Sequence, residues 1–532
     1  MAVPSDNPID LSQAMVVDPA PLADWLVIAP VAYCLIAGAA LMMMRRSADR
    51  HATIAIPLLA GLVILTAALL WHVVAAGTVT VTMGRWLPPF GISFTVDILG
   101  AVFALAAAIA ALACGIYADG EVGASSKRYG FYPMLFFIMA GVSGAFVTGD
   151  IFNLYVWFEV LLISSFGLQV LGSERRQLDG GMKYAILNLV ATTLFLLTTG
   201  YLYGIFGTLN MADIAVKAAD MDAAPLLTLA ALYFLAFGMK AAAFPVNSWL
   251  PASYHTPNIV VSALFAGLLT KVGVYALIRV MIMLFPAERG EMETVITVVA
   301  ALTMVLGALG ALAQTDVRRL LGYLVISGVG IMMTGIALST PAGLSGSIVY
   351  ALHSMIVVTA LYIAAGAAAR IGKTFAMDRL GGLYRSHVFL SGLSLILFLS
   401  VSGLPPFSGF WPKAMLVQAS LDAGAGWLAA SVLVSGFLTT VAVGRVWALA
   451  YWRPASDKNA APMPVKLSVG GIYAPLVGLV LLTVWFGLFP QPLIALSQDA
   501  AATLLDPRPY IESVFPGGEQ ALPENGAGEG AQ

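Results

Sequence analysis

Four ionisable side chains stand where a soluble core would have no use for them. Glu159, Lys240, Lys271 and Lys413 each lie well inside a long apolar run of the chain. A charged group at the centre of a bilayer costs roughly 3 kcal/mol or more, so such residues are functional by default. A lysine in that setting is a proton carrier, because its hold on the proton depends on whether a carboxylate stands close by. A Glu159–Lys240 pair would be such a switch: drawing the two apart makes Lys240 release its proton. The bland alternative is a static buried ion pair that fixes helix packing. Three lysines against one deep carboxylate neutralise poorly, which favours a relay. His255 and His353 extend the set; each is either a satisfied packing residue or an intermediate between lysines, since imidazole titrates near neutrality. Arg279 and Arg445 lie nearer the ends of their runs, where a long side chain can snorkel, and are expected to be structural.

The elements that position these groups are apolar segments too long and too numerous for a soluble domain. Of 532 residues, 60% are hydrophobic and 10% are charged, against roughly 25% charged in soluble proteins. A spanning helix needs about 20 mostly apolar residues. Fourteen candidates are legible: 24–44, 52–76, 94–118, 130–149, 151–171, 182–207, 225–254, 257–285, 294–314, 318–338, 344–369, 388–420, 427–452 and 467–490. The expected fold class is an all-α polytopic membrane protein. The seventh segment contains Pro245 and Pro251, and the twelfth contains Gly403, Pro405, Pro406 and Gly409. Proline removes a backbone donor and clashes with the preceding turn. Inside a bilayer, broken backbone persists only where protein or a wet cavity surrounds it, so both breaks are candidate transport sites. Lys240 and Lys413 fall on them.

The positive-inside rule sets the orientation. With the N-terminus outside, the inner loops collect Arg45, Arg46, Arg50, Lys127, Arg128, Arg175, Arg176, Lys183, Arg318 and Arg319. They also collect Arg370, Lys373, Arg379, Arg385, Arg453, Lys458 and Lys466, whereas the outer segments hold only Arg85, Lys217, Arg289 and Arg508. Asp213, Asp220, Asp222, Glu288, Glu291 and Glu293 make two outer loops acidic. Fourteen spans with both termini outside satisfy this alternation. The formal net charge of −2 gives no reason to expect a nucleic-acid partner. There is no phosphate-binding glycine loop, nucleophile elbow or Cys/His cluster, so neither cofactor nor metal is expected. Cys34 and Cys114 read as small hydrophobes, and the Gly307–Gly310 pair as ordinary close helix packing. Residues 1–23 hold Asp6, Asp10 and Asp18 but no basic residue, so no cleaved signal is expected. From about 491 onward the chain turns polar and ends in PENGAGEGAQ; a partly disordered terminus without function is expected there.

Several stretches resemble a known family. TGDIFNLYVWFEVLLISSFGL (148–168) is similar to the fifth helix of the antiporter-like subunits of Mrp-type cation/proton antiporters, NADH:quinone oxidoreductase and membrane-bound hydrogenases. FGMKAAAFPVNSWLPASYHTPNIVVSALFAGLLTKVGVYALIR (237–279) resembles their seventh and eighth helices, and QTDVRRLLGYLVISGVGIM (314–332) and GLPPFSGFWPK (403–413) resemble two further hallmark stretches. The resemblance implies two inverted five-helix repeats with broken helices 7 and 12. The units would be residues 1–129, 130–285 (helices 4–8), 286–452 (helices 9–13) and 453–532. It also implies roles: Glu159 as the fifth-helix glutamate, Lys240 as its partner, Lys271 as the connecting base and Lys413 as the terminal group. SALFAGLLTKVGVYALIR and the ending LLDPRPYIESVF (504–515) most resemble the Mrp D-type branch, for which partners of A-, B-, C-, E-, F- and G-type are implied. A pumping subunit of a redox complex is the alternative. Two departures stand out: Val358 occupies the position five after His353 where the family usually has lysine, and Pro412 precedes Lys413.

Overall fold

The computed structural model describes Met15 and residues 20–219, 221, 223–454 and 467–516. Asp6, Asp10, Asp18, Asp220, Asp222, Lys458, Lys466 and the PENGAGEGAQ ending lie outside the described residues. Among the described residues, eleven helices are long and apolar enough to cross a membrane, and three shorter ones, Ala29–Met43, Phe131–Val147 and Val388–Ser402, complete the fourteen expected segments. We number them in chain order. The first six are α1 (Ala29–Met43), α2 (His51–Ala76), α3 (Ile98–Glu121), α4 (Phe131–Val147), α5 (Ile151–Gln169) and α6 (Arg175–Phe206). Next come α7a (Ala223–Ala241) with α7b (Trp249–Ser253), α8 (Ile259–Ile278), α9 (Glu293–Leu312), α10 (Val317–Leu338) and α11 (Pro341–Gly372). The last three are α12a (Val388–Ser402) with α12b (Phe410–Asp422), α13 (Gly426–Val446) and α14 (Ala474–Leu488).

Burial separates these helices into shells. Every residue of α8 is buried, and so is nearly all of α11 from Gly343 to Ala369. Both helices are apolar on all faces, as a helix surrounded by helices must be. By contrast α2, α6, α13 and α14 expose large apolar side chains such as Trp71, Leu189, Phe437 and Leu481, as lipid-facing helices do. Small residues set the tightest approach: a Cβ on Gly307 of α9 would stand 2.5 Å from the Ser327 backbone nitrogen of α10, the close packing expected of the Gly307–Gly310 pair.

Two internal correspondences are visible. Asp150 caps α5 by accepting from the Asn153 N–H at 2.7 Å, and its strand-like approach pairs it with Asn210. Asp316 caps α10 by accepting from the Arg318 and Arg319 N–H groups and pairs with Ala376 in the same way. The helix breaks match as well. Ala242 donates to the Met239 carbonyl and Ala243 to that of Gly238; Gly403 donates to Ser400 and Leu404 to Leu399. Each is the left-handed helix stop in which two successive N–H groups satisfy orphan carbonyls, with φ of +62° at Ala242 and +84° at Gly403. α10 is the fifth span after α5, and α12 the fifth after α7. An odd number of crossings reverses direction, so the matched features run antiparallel.

Two parts of the structure differ from expectation. Residues 491–516 are ordered: α15 (Gln491–Leu505) and α16 (Arg508–Val514) fold back on the bundle. Ser497 hydrogen-bonds Ser345 of α11 at 2.6 Å and Ser513 reaches Thr80 at 2.8 Å. The stretch looks polar because only one face is apolar, with Leu493, Ala500, Ala501 and Leu504 turned inward. The second is a short antiparallel hairpin, β1 (Val79–Thr82) with β2 (Ser93–Val96), which forms part of α16's seat.

Candidate functional site

The midplane groups lie along the buried centre of the bundle. Lys240 ends α7a just before its break and is 6% exposed. Its ammonium has no hydrogen-bond partner among the described residues and sits 5.6 Å from the centroid of the Phe158 ring. Glu159, one residue further along α5, is only half-buried. Its charge reaches Lys240, but the two form no contact ion pair among the described residues.

Lys271 is wholly buried in α8 and donates to the Ala266 carbonyl at 2.7 Å. His353, buried in α11, hydrogen-bonds through Nδ1 to the Ser408 hydroxyl at 2.8 Å, and Ser408 in turn meets Ser400 at 3.1 Å. The helix of His353, α11, packs against both α8, which carries Lys271, and α12b, which carries Lys413. Lys413 donates to the Val401 and Ser402 carbonyls at 3.1 and 2.8 Å. Those carbonyls are free because α12a stops there. The same ammonium lines a cleft of about 490 Å³ between α12b and α13. Lys240 therefore stands before its break and Lys413 after its own, and among the described residues only the Lys413 amine hydrogen-bonds the broken backbone. Pro412 lies in the first turn of α12b, where a missing N–H has no intrahelical acceptor to lose. Val358 is buried in α11 and adds no titratable group between Lys271 and Lys413.

His255 lies apart from this line. It follows α7b, donates from Nδ1 to the Pro251 carbonyl at 2.8 Å, and accepts at Nε2 from Arg319 at 3.1 Å; arginine can only donate, so the tautomer follows. Burial first, then the Arg319 guanidinium, pushes the imidazole down to about 4. Free imidazole titrates near 6.5. The unfolded chain therefore binds a proton, in the window between about 6.5 and about 4, that the folded chain refuses. This contribution to stability is full above the window and lost as pH falls through it. Thermal unfolding of the purified complex at stepped pH should show a drop on acidification that flattens in His255→Gln; an identical drop would refute the assignment.

Residues 148–439 match the family described as NADH:quinone oxidoreductase/Mrp antiporter, TM, a match that spans all six singled-out groups and more than half of the chain. The D-type subunit of the Na(+)/H(+) antiporter of Alkalihalophilus pseudofirmus is 37% identical over 92% of this chain and 99% of its own length. The chain belongs to the NADH:quinone oxidoreductase/Mrp antiporter family. The corresponding Na(+)/H(+) antiporter protein of Bacillus subtilis, also D-type, is 36% identical over 85% of this chain and 92% of its own. Among solved structures, a chain of the Mrp complex from Dietzia sp. DQ12-45-1b superposes with a TM-score of 0.85 at 28% identity, covering 93% of this chain and 99% of that one. A chain of the membrane-bound sulfane sulfur reductase, an archaeal respiratory membrane complex, superposes at 0.86 with 24% identity over 92% and 99%, a likeness of fold. The resemblance to the D-type branch is thus matched by its named relatives.

One buried pair escaped the sequence reading. Arg279 does not snorkel: it is 2% exposed and grips Asp97 with two hydrogen bonds of 2.7 and 2.8 Å, with Tyr275 and Tyr510 beside it. Asp97, at the N-cap of α3, is therefore a more deeply buried acid than Glu159. The missed signal was an acid at one segment's start and a base at another's end, 182 residues apart. Arg445 is structural too, donating to the Leu312 carbonyl at the end of α9. Breaking a buried pair by removing one partner costs about 3–5 kcal/mol. Asp97→Asn should lower the unfolding midpoint of the complex sharply, and adding Arg279→Met should restore much of it. An unchanged midpoint in the single variant would show that the pair contributes little.

Proposed function

We propose that this chain is the proton-translocating subunit of a multisubunit Na⁺ (or K⁺)/H⁺ antiporter in a bacterial inner (plasma) membrane, with both termini outside. Its repeats would be residues 130–285 and 286–452, between residues 1–129 and 453–532. The observation that carries the reading is the set of three buried lysine amines, none in contact with a carboxylate among the described residues, with His353 on the helix that packs against those of the last two. A buried amine with no fixed counter-ion can change its protonation without breaking a salt bridge. Inward proton flow would pass from Glu159 and Lys240 through Lys271 and His353 to Lys413. Movement of Glu159 toward or away from Lys240 would set when the first lysine lets go. His255, hydrogen-bonded to Arg319, would serve the inner mouth. Subunits of A-, B-, C-, E-, F- and G-type would complete the cation path, so the chain alone would not exchange ions.

The test is expression of the whole gene cluster in an antiporter-deficient host. Everted vesicles with a pH-reporting dye should release protons on addition of Na⁺ or K⁺. The second reading, a pumping subunit of a redox complex, is kept open by the fold likeness to the sulfane sulfur reductase chain and to respiratory complex I from Thermus thermophilus, with a TM-score of 0.77 at 24% identity. Silence toward both cations with every partner present would favour it.

A further inference from the structure

The first turns of α6 and α10, with the loop after α7b, enclose a polar cavity of about 360 Å³. It lies beside His255 and holds none of Lys240, Lys271 and Lys413. The cations lining it are Arg176, Lys183 and Arg319, and the acid lining it is Asp179, which Lys183 already neutralises at 2.6 Å. Arg176 makes no ion pair or hydrogen bond among the described residues, and Arg319 spends one donor on the neutral His255. Arg318 lies close behind, near enough for its charge to interact with those of Arg176 and Arg319. Two guanidinium groups therefore face one concave space without a counter-ion among the described residues. Both helices begin here, but their first N–H groups are already capped by Glu174 and Asp316, so the side chains carry the positive charge.

What adjoins the cavity narrows the ligand. Along α6, the stripe next to Arg176, Asp179 and Lys183 is Leu178, Met182 and Ile186, all more than half exposed. That apolar face starts level with the cavity mouth and runs away from it, as acyl chains run from a headgroup. We propose that this cavity binds a phosphate-bearing anion, the phosphodiester of an acidic phospholipid lodged with its chains along α6. Guanidinium groups suit phosphate because their paired donors match its oxygens, and basic pockets between membrane helices hold such headgroups. Arg176 and Arg319 are the anchors, and Lys183 neutralises Asp179 so that it does not repel the ligand.

The experiment uses the assembled complex without any ion gradient, so it stands whether or not the transport reading does. Complex in lipid nanodiscs of phosphatidylcholine, with and without phosphatidylglycerol, is released for native mass spectrometry, and inorganic phosphate is titrated separately in neutral detergent. Wild type should retain phosphatidylglycerol, and Arg176→Gln and Arg319→Gln should each hold it at least about tenfold more weakly, the loss expected for one charged hydrogen-bonding anchor. Arg319→Lys, which keeps the charge, should lose less and guards against misfolding. Phosphate binding with no lipid retained, lost in the same variants, would uphold the anion site but move its source to the free ion. Equal retention by wild type and variants, or neither lipid nor phosphate bound by wild type, would overturn the proposal. So would variants that shed partner subunits while anion retention is unchanged, since the arginines would then belong to a protein contact.

Discussion

Lys240→Ala, in an otherwise intact complex, abolishes cation-dependent proton release from everted vesicles. The expectation follows from the geometry at the end of α7a. The Lys240 amine is the group of the line within reach of the Glu159 charge, and it has no hydrogen bond that another side chain shares among the described residues. Alanine removes the carrier and leaves an apolar gap beside Phe158. A proton crossing that gap would have to be carried in low dielectric, and each 1.4 kcal/mol added to the barrier slows it about tenfold. A loss of about a hundredfold or more is therefore expected, with the protein still assembled. Glu159→Ala should do the same by a different route, because Lys240 then has no charge to respond to. Because the two are not in contact, neither variant should unfold the bundle as breaking the Asp97–Arg279 pair would. Substantial residual exchange in either variant would remove both residues from the proton path.

The second large effect is expected at a glycine. Gly403 has φ of +84°, and a Cβ there would stand 2.6 Å from Lys413 Cδ and 3.1 Å from its Nζ. Gly403→Ala therefore acts twice. The left-handed conformation costs a non-glycine residue roughly 1–2 kcal/mol, and the methyl pushes Lys413 off the Val401 and Ser402 carbonyls. The backbone of α12a can still stop in the same way, since Ala242 does so with φ of +62° at the matching break. The variant should reach the membrane at close to normal levels yet exchange at least about tenfold more slowly. Lys413→Ala serves as the comparator: if Gly403→Ala exchanges at the wild-type rate while Lys413→Ala does not, the position of the amine at the break is unimportant.

The number and order of spans were legible because hydropathy is a local sum: a bilayer asks each segment of about 20 residues the same question. The two breaks were legible for the same kind of reason, since Pro245 and the Pro405–Pro406 pair limit their own backbone whatever surrounds them. Ionisable residues inside those segments advertised themselves by their cost. The polar ending from 491 to 516 misled, because a helix with one apolar face that docks on a membrane bundle has nearly the composition of a loose tail. Arg279 is structural as expected, but its snorkelling was misjudged for a similar reason: distance from a segment end does not tell whether lipid headgroups or another helix await the side chain.

The chain's composition and spacing by themselves determined that this is a polytopic helical membrane protein with a few costly titratable groups on two broken helices. Only the tertiary structure decided how those groups meet. It leaves Glu159 out of contact with Lys240, packs the helix of His353 against those of Lys271 and Lys413, turns two backbone carbonyls into the ligands of Lys413, and leaves Arg176 and Arg319 lining one cavity. The physical reason is range. Burial propensity is written residue by residue, whereas a distance between side chains far apart in the chain depends on how helices pack. Backbone carbonyls, which every sequence has, become ligands only where packing frees them.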